Sequence, residues 1–597
     1  MLEISAPKHL SLITLPTEIL HHIFDSIDCQ TILLSIRQVC STLYEVTNTY
    51  DRYRLDFRSI SLDNYRFLIS RFDSGNVNSI VLSNDFKTPN QIQLFLSNFN
   101  TQKFVQLRSL TLLEIDDETL AQLLQTIFYC SLKFLSIKWT SSSTPRYQTL
   151  ILISTVVTRN SLSKLSMHYY PVDKLCKQFS IQCKVHLTLS KYTYGQLCEL
   201  PLLFPYLEEL KLDQYFTSPG EKLILQSQLS LIYQYLTSLT LRIDDSQWKQ
   251  LREALLTTSS LLQVSLQVFG ILPNSGTLQC PWEELIQTNL PRLTQFDFLF
   301  VILSENINPN EYIESLLLPF RTPFWTEVKR WFVTGDFYPF PRETVRLYTV
   351  SFHNNLFQYP QWSSRVWQSI SPIPINDTEV MSRIHSLTLN MNQVINYFES
   401  YQIDLSDGYL LPNVTELQLT ERHQWSPNSI EILSKVINLT RINDLLLTIG
   451  IDRGSTSFKI TNLIRLLERT INLHSLDIDI SRNYPNDVWI IAESDLFSLI
   501  PRSIRHLQIP PLINEFVKKI LTELPQIQSV TFKDWTNFPI EMISDYLGSF
   551  DKPFTYQKRN HHESYRIDWQ LWLSTRRKIS SETPSRLSNN KYSNRLF

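Results

Sequence analysis

Histidines, cysteines and paired acids are the residues of this 597-residue chain that could do chemistry, and their spacing argues against it. His21 and His22 are adjacent in a helical pattern, so their side chains point about 100° apart and do not converge on one metal. His561 and His562 stand beside Glu563 without a second pair of ligands. There is no H-E-x-x-H motif and no Cys/His cluster with zinc spacing. The seven cysteines (Cys29, Cys40, Cys130, Cys176, Cys183, Cys198 and Cys280) are scattered, odd in number and without C-x-x-C, which suits reduced, mostly core thiols. Cys198-Glu199 carries no nucleophile signature, and G-x-S-x-G is absent. Asp116-Asp117 and Asp244-Asp245 read as charges at helix starts. Only ten glycines are present, with no phosphate-cradling loop, and Gly450 and Gly454 read as a turn. The expectation is a non-enzyme without cofactor or metal.

Fifty-five Lys and Arg balance 57 Asp and Glu, so no strong field points to nucleic acid. No apolar run approaches the roughly 20 residues that span a bilayer, and the start Met1-Leu2-Glu3-Ile4-Ser5 does not read as a secretory signal. A cytoplasmic or nuclear protein is expected, with neither nucleic acid nor membrane as partner.

The elements begin with a short helical segment. Pro16 suits a helix start. Leu15, Ile19 and Ile23 repeat at i, i+4, i+8, and Leu20 pairs with Phe24 on a neighbouring stripe. A second apolar series runs Ile32, Leu33, Ile36, Val39, Cys40, Leu43. About forty residues cannot bury two such faces alone, so the surplus face is expected to meet another protein. An ordinary amphipathic hairpin would share this spacing.

Leu15-Pro16-Thr17-Glu18-Ile19-Leu20, Ile23-Phe24 and Val39-Cys40 resemble an F-box, with Leu43-Tyr44 where the family often places Trp or another aromatic. The resemblance covers about the first fifty residues. It implies a three-helix module docking on the Skp-family linker of a cullin–RING ubiquitin ligase, through Leu15, Pro16, Ile19, Leu20, Ile23, Phe24, Val39, Cys40 and Leu43. The rest of the chain would recruit an unknown protein substrate, and ubiquitin transfer would belong to other subunits. The alternative is a repeat scaffold whose head packs on its own array, with no ligase role.

After this segment the phrase apolar-x-x-apolar-x-apolar returns at Val77, Leu107, Leu132, Leu162, Leu207, Leu236, Leu261 and Leu293, then at Ile384, Val414, Ile442, Leu473, Ile504 and Ile527. A weaker copy spans Val185–Leu189. Each phrase alternates like a short strand, and helix-start signals stand between them at Asp116, Asp244 and Pro427. The period is that of leucine-rich repeats. The fold class expected is α/β: a small helical F-box head at 1–56, then an irregular leucine-rich-repeat solenoid over 57–555, strands concave and helices convex. A plain α/β domain with a parallel sheet remains the alternative.

Residues 300–383 break the rhythm with Trp325, Trp331, Trp362 and Trp367 among many prolines. Two strand-like phrases survive there, Val328-x-x-Trp331-x-Val333 and Val345-x-x-Tyr348-x-Val350. These rings are expected chiefly as core, a binding patch being the other reading. Residues 556–597 form a C-terminal segment ending in a basic, disordered tail. On the outward face of the repeats, Ser and Thr alternate with charges. Asp477 and Asp479 share one strand face and repel without a cation, which makes them the candidate substrate contact.

Overall fold

Helices α1 (Thr17–Phe24), α2 (Cys29–Leu34) and α3 (Ser41–Thr49) build the head. In the computed structural model, residues 12–574 are described apart from internal segments, the longest being 169–180, 190–199, 213–234, 371–384, 392–410, 451–459, 482–499 and 534–553. The expected basic tail lies outside these residues, as do Cys176, Cys198, Trp362, His562 and Glu563. Pro16 stands one residue ahead of α1 rather than inside its first turn. Asp28 caps α2, its carboxylate accepting the Thr31 amide at 2.8 Å, which satisfies one of the orphan donors of the first turn.

The chain then alternates strand and helix: β1 (Tyr53–Asp56), α4 (Leu62–Ile69), β2 (Val77–Ser83), α5 (Gln91–Asn98), β3 (Ser109–Ile115), α6 (Asp117–Thr126), β4 (Phe134–Trp139) and α7 (Tyr147–Asn160). Asp116 starts α6 as its sequence suggested, accepting the Thr119 amide at 2.9 Å. The series continues with β5 (Lys164–His168), β6 (Lys184–Leu189), β7 (Leu207–Leu212), β8 (Ser238–Asp244), β9 (Gln263–Ile271) and β10 (Gln295–Leu303). These ten strands pair in chain order, all parallel. The repeated phrase sets the register, Ile80 aligning with Leu110, Leu135, Leu165 and Val185. The side-chain period of two then sends the aligned apolar residues of each phrase to one face, where they are buried, and leaves the other face half-open.

At the far edge, β11 (Val333–Tyr338) and β12 (Thr344–Thr349) pair antiparallel, β12 on β10. The expected strand at Val328 is not one. Phe324–Val328 is a π-helical turn following Pro323, Val328 is 72% exposed, and Arg330 has φ +55°, so the strand begins only at Val333. Phe320, Phe324, Trp325 and Trp331 of this block are buried in the core, with Phe320 and Trp325 rings 4.8 Å apart, while Phe332 and Phe337 are half-buried. Gly335 is required by close approach, since a Cβ there would stand 2.7 Å from Ile313 Cγ2.

A second sheet repeats the plan. β13 (Phe357–Gln358), β15 (Ser386–Asn390), β16 (Glu416–Glu421), β17 (Asp444–Gly450), β18 (Ser475–Ser481), β19 (His506–Ile509) and β20 (Ser529–Phe532) are parallel, while β14 (Trp367–Ser369) joins the first sheet. An antiparallel hairpin, β21 (Phe554–His561) and β22 (Arg566–Leu573), closes the second sheet against β20. The boundary placed at 555 therefore falls inside a strand. That hairpin also packs on the first units. Trp572 is fully buried in the first core with Tyr65 at 5.3 Å, Asn90 Nδ2 donates to Thr555 Oγ1 at 2.9 Å, Arg559 meets Glu114 at 2.5 Å, and Lys87 meets Asp444 at 3.0 Å. The architecture is thus mixed α/β, a helical head leading into largely parallel sheets, with antiparallel strands at the far end of the first and an antiparallel hairpin at the end of the second.

Candidate docking site on the helical head

The two stripes of α1 have opposite fates. Leu20 and Phe24 turn inward, 1% exposed each, and join Cys29, Ile32, Leu33, Leu43 and Val46 in a core continuous with Leu55 and Phe57 of the first repeat unit. Tyr50 locks the bundle: its ring meets Phe24 edge-on at 5.6 Å and Tyr53 at 4.9 Å, and its hydroxyl donates to Asp25 at 2.8 Å. Gln30 Nε2 donates to the Asp56 carbonyl at 3.4 Å and Arg37 to the Arg71 carbonyl at 3.0 Å, which ties the head to the array.

The other stripe faces outward. Ile19 is 46% exposed and Val39 70%; Pro16 is exposed, and Leu15, Ile23 and Cys40 are half-buried. Leu12, Ile13 and Tyr44 add to this uncovered apolar surface. Arg37 lies over the Tyr44 ring at 4.8 Å, and hydrogen bonding to Arg37 and then to Asn48 lowers the Tyr44 hydroxyl from its ordinary value. A bundle this small thus leaves several large apolar side chains in water while its own core is filled, the mark of a surface that meets another protein.

Three of the nine residues assigned to the partner contact belong elsewhere. Leu20, Phe24 and Leu43 are interior, because the helix spacing that pairs Leu20 with Phe24 points that stripe at α3. Leu12 and Ile13 were not assigned from sequence; they lie in a 3₁₀ turn ahead of the motif, where no periodicity marks them.

Among the described residues, no group of three or more His, Cys, Asp or Glu could hold a metal ion. Burial pushes the Cys29 thiol up to about 12, and Cys130, Cys183 and Cys280 up to about 11, so none of these is a ready thiolate. His21 contacts the Val46 carbonyl at 3.2 Å, while His22 lies 3.5 Å from Asp25, so the two rings serve different neighbours.

Asp477 and Asp479 are half-buried on β18. The missing cation is Lys533, whose ammonium pairs with Asp477. Burial still holds the Asp477 carboxyl above its ordinary value. An ion pair internal to the fold explains Asp477 without any ligand.

No helix among the described residues is long and apolar enough to cross a membrane. The curated proteins compared with the chain include none that matches it. The segment that carries the outward apolar stripe, residues 12–57, matches the model of the F-box-like family, and F-box-mediated protein interaction is the activity it indicates.

Proposed function

We propose that this protein is a substrate-recruiting adaptor of an SCF-type ubiquitin ligase. The head docks on a Skp-family linker through Ile19, Val39 and Tyr44, with Leu12, Ile13, Leu15, Pro16, Ile23 and Cys40 around them. The strand–helix array is an irregular leucine-rich-repeat-like solenoid that holds the target protein, and the linker and cullin complex bring the transfer chemistry. The chain itself contributes proximity rather than bond-making.

The observation that carries this reading is the uncovered apolar stripe on a segment matching the F-box-like family. A standard interface buries roughly 800 Å² on each partner, and a compact set of partly exposed large apolar residues is the usual centre of one. The scaffold alternative gains from the tie between head and array at Gln30 and Arg37, and Arg37 also lies over the Tyr44 ring, but Ile19 and Val39 stay uncovered. The test is co-purification of the full chain with a recombinant Skp-family linker and cullin. A stable ternary complex is expected; failure of the folded chain to bind the linker would leave the scaffold reading.

A further inference from the structure

The open face of β4–β8 differs in charge from the equivalent face of the second sheet. Strands β4–β8 carry five cations, Lys138, Lys164, Lys184, Lys211 and Arg242, against three carboxylates, Glu208, Glu209 and Asp244, an excess of two positive charges. Neighbouring Glu114 pairs with both Lys138, at 3.0 Å, and Arg559, at 2.5 Å, so counting Glu114 with Arg559 leaves that excess unchanged. Both carboxylates of β7 are already engaged: Glu208 lies 2.8 Å from Lys184 and 3.3 Å from His186, and Glu209 bonds the other nitrogen of His186. Phe134, 47% exposed, stands in register beside Lys164 and offers an apolar anchor at the edge of the cationic strip.

The second sheet is the reverse. Its open face presents Glu416, Asp444, Asp477 and Asp479, and the chain's own lysines approach it, Lys87 on Asp444 and Lys533 on Asp477. The acidic face is therefore partly neutralised within the molecule by side chains from other elements, an internal example of the complementarity the basic face offers to a partner.

We propose that the open face of β4–β8 binds an extended acidic segment of a partner protein, with an apolar residue of that segment seated against Phe134. The proposal rests on the adaptor reading only for calling that partner a recruited target. Adjacent strands lie about 4.8 Å apart, so five strands span about 19 Å, the length of roughly six extended residues. A short acidic segment fits this strip. A long polyanion such as nucleic acid needs a longer positive track and would meet the acidic second sheet. Local potential agrees: burial lowers His168, and Lys138 and Lys211 add to the effect against Glu209.

The experiment is fluorescence anisotropy on the purified full chain. The probe is a labelled peptide of about ten residues, one Phe followed by alternating Glu and Ser, compared with its Gln counterpart. The Glu peptide is expected to bind at least tenfold more tightly, and to weaken as salt is raised. Lys164→Glu with Arg242→Glu, both on the open face, should remove at least tenfold of that affinity while thermal unfolding is unchanged. Equal affinity for the Glu and Gln peptides overturns the proposal. So does unaltered binding by the charge-reversed variant, or tighter binding of a single-stranded RNA of equal charge. Linker co-purification on the same variant separates the two readings: linker retained with peptide lost supports the strip, whereas a wild-type chain that binds the peptide but no linker defeats the adaptor role alone.

Discussion

Replacing Ile19 and Val39 by aspartate tests the outward stripe where it is most open. Ile19 is 46% exposed and Val39 70%, so together they leave slightly more than one whole aliphatic side chain in water. Burying such a side chain is worth about 1.5–3 kcal/mol, and the double variant should forfeit about 2–3 kcal/mol of docking energy before any cost of burying the new charges. That corresponds to a roughly 30- to 150-fold weaker linker complex. Folding should change by no more than about 0.5 kcal/mol, the usual range for exposed positions. Leu20→Asp is the informative contrast. At 1% exposure it places a carboxylate in the core and should unfold the head, losing the linker for a different reason. Calorimetric titration of the linker into each full-length variant, with thermal unfolding alongside, gives both quantities. An Ile19→Asp/Val39→Asp protein that folds normally and binds the linker with wild-type affinity would refute the assignment of this stripe.

Three further outcomes are expected. His506, 6% exposed, is pushed down to about 3 by burial, with Lys87 beside it. An unfolded histidine takes its proton near 6.5, so the unfolded state gains as pH falls through 6.5 and the loss continues to about 3. About 2 kcal/mol should go between pH 7.5 and pH 5 from this group alone, and chemical denaturation of His506→Gln should show that much less acid sensitivity. Gly335→Ala should destabilise by about 1–3 kcal/mol, since its Cβ would meet Ile313 Cγ2 at 2.7 Å; an unchanged melting temperature would contradict the close approach. Trp572→Ala should cost about 3–5 kcal/mol and raise hydrogen exchange in Leu62–Ile69 as well as in the hairpin, because that ring is sealed against Tyr65.

The array was legible because its signal is local and periodic. Leu110, Leu135 and Leu165 announce their alternation within a few residues of themselves, and parallel pairing in register follows once each phrase is a strand with a helix between it and the next. The helix start at Asp116 was equally local. What escaped notice depends on long-range packing. Val328 belongs to an apolar phrase, yet Pro323 and the left-handed Arg330 bend the chain before a strand can form. The strands β21 and β22 lie where the repeat had faded, and while β22 pairs with nearby β20, its Trp572 meets Tyr65 across hundreds of residues. On the head, the motif identified both stripes of α1. Which one faces water is decided by α3 and β1, so Leu20 and Phe24 could not be told from Ile19 by spacing. Lys533, the cation that explains Asp477, is 56 residues away and carries no mark in the sequence.

Helix α4 joins these parts into one mechanical unit. Its Tyr65 sits between Phe57, 5.1 Å away on the head side, and Trp572, 5.3 Å away in the C-terminal hairpin, and its Asp63 accepts from Ser574. Arg37 of the head reaches the carbonyl of Arg71 just beyond it. The first core therefore runs without a break from Leu20 through the parallel ladder and includes Trp572. A head on a flexible tether would let a docked linker sample many directions. A head fused to the sheet through shared side chains holds its outward stripe at a set angle to the open faces of the strands, because close-packed interiors resist rotation of one element against another. In the adaptor role we propose, that angle is what the chain would supply: a residue on a bound target would reach the same region of space each time, with orientation entropy settled by folding rather than at each encounter.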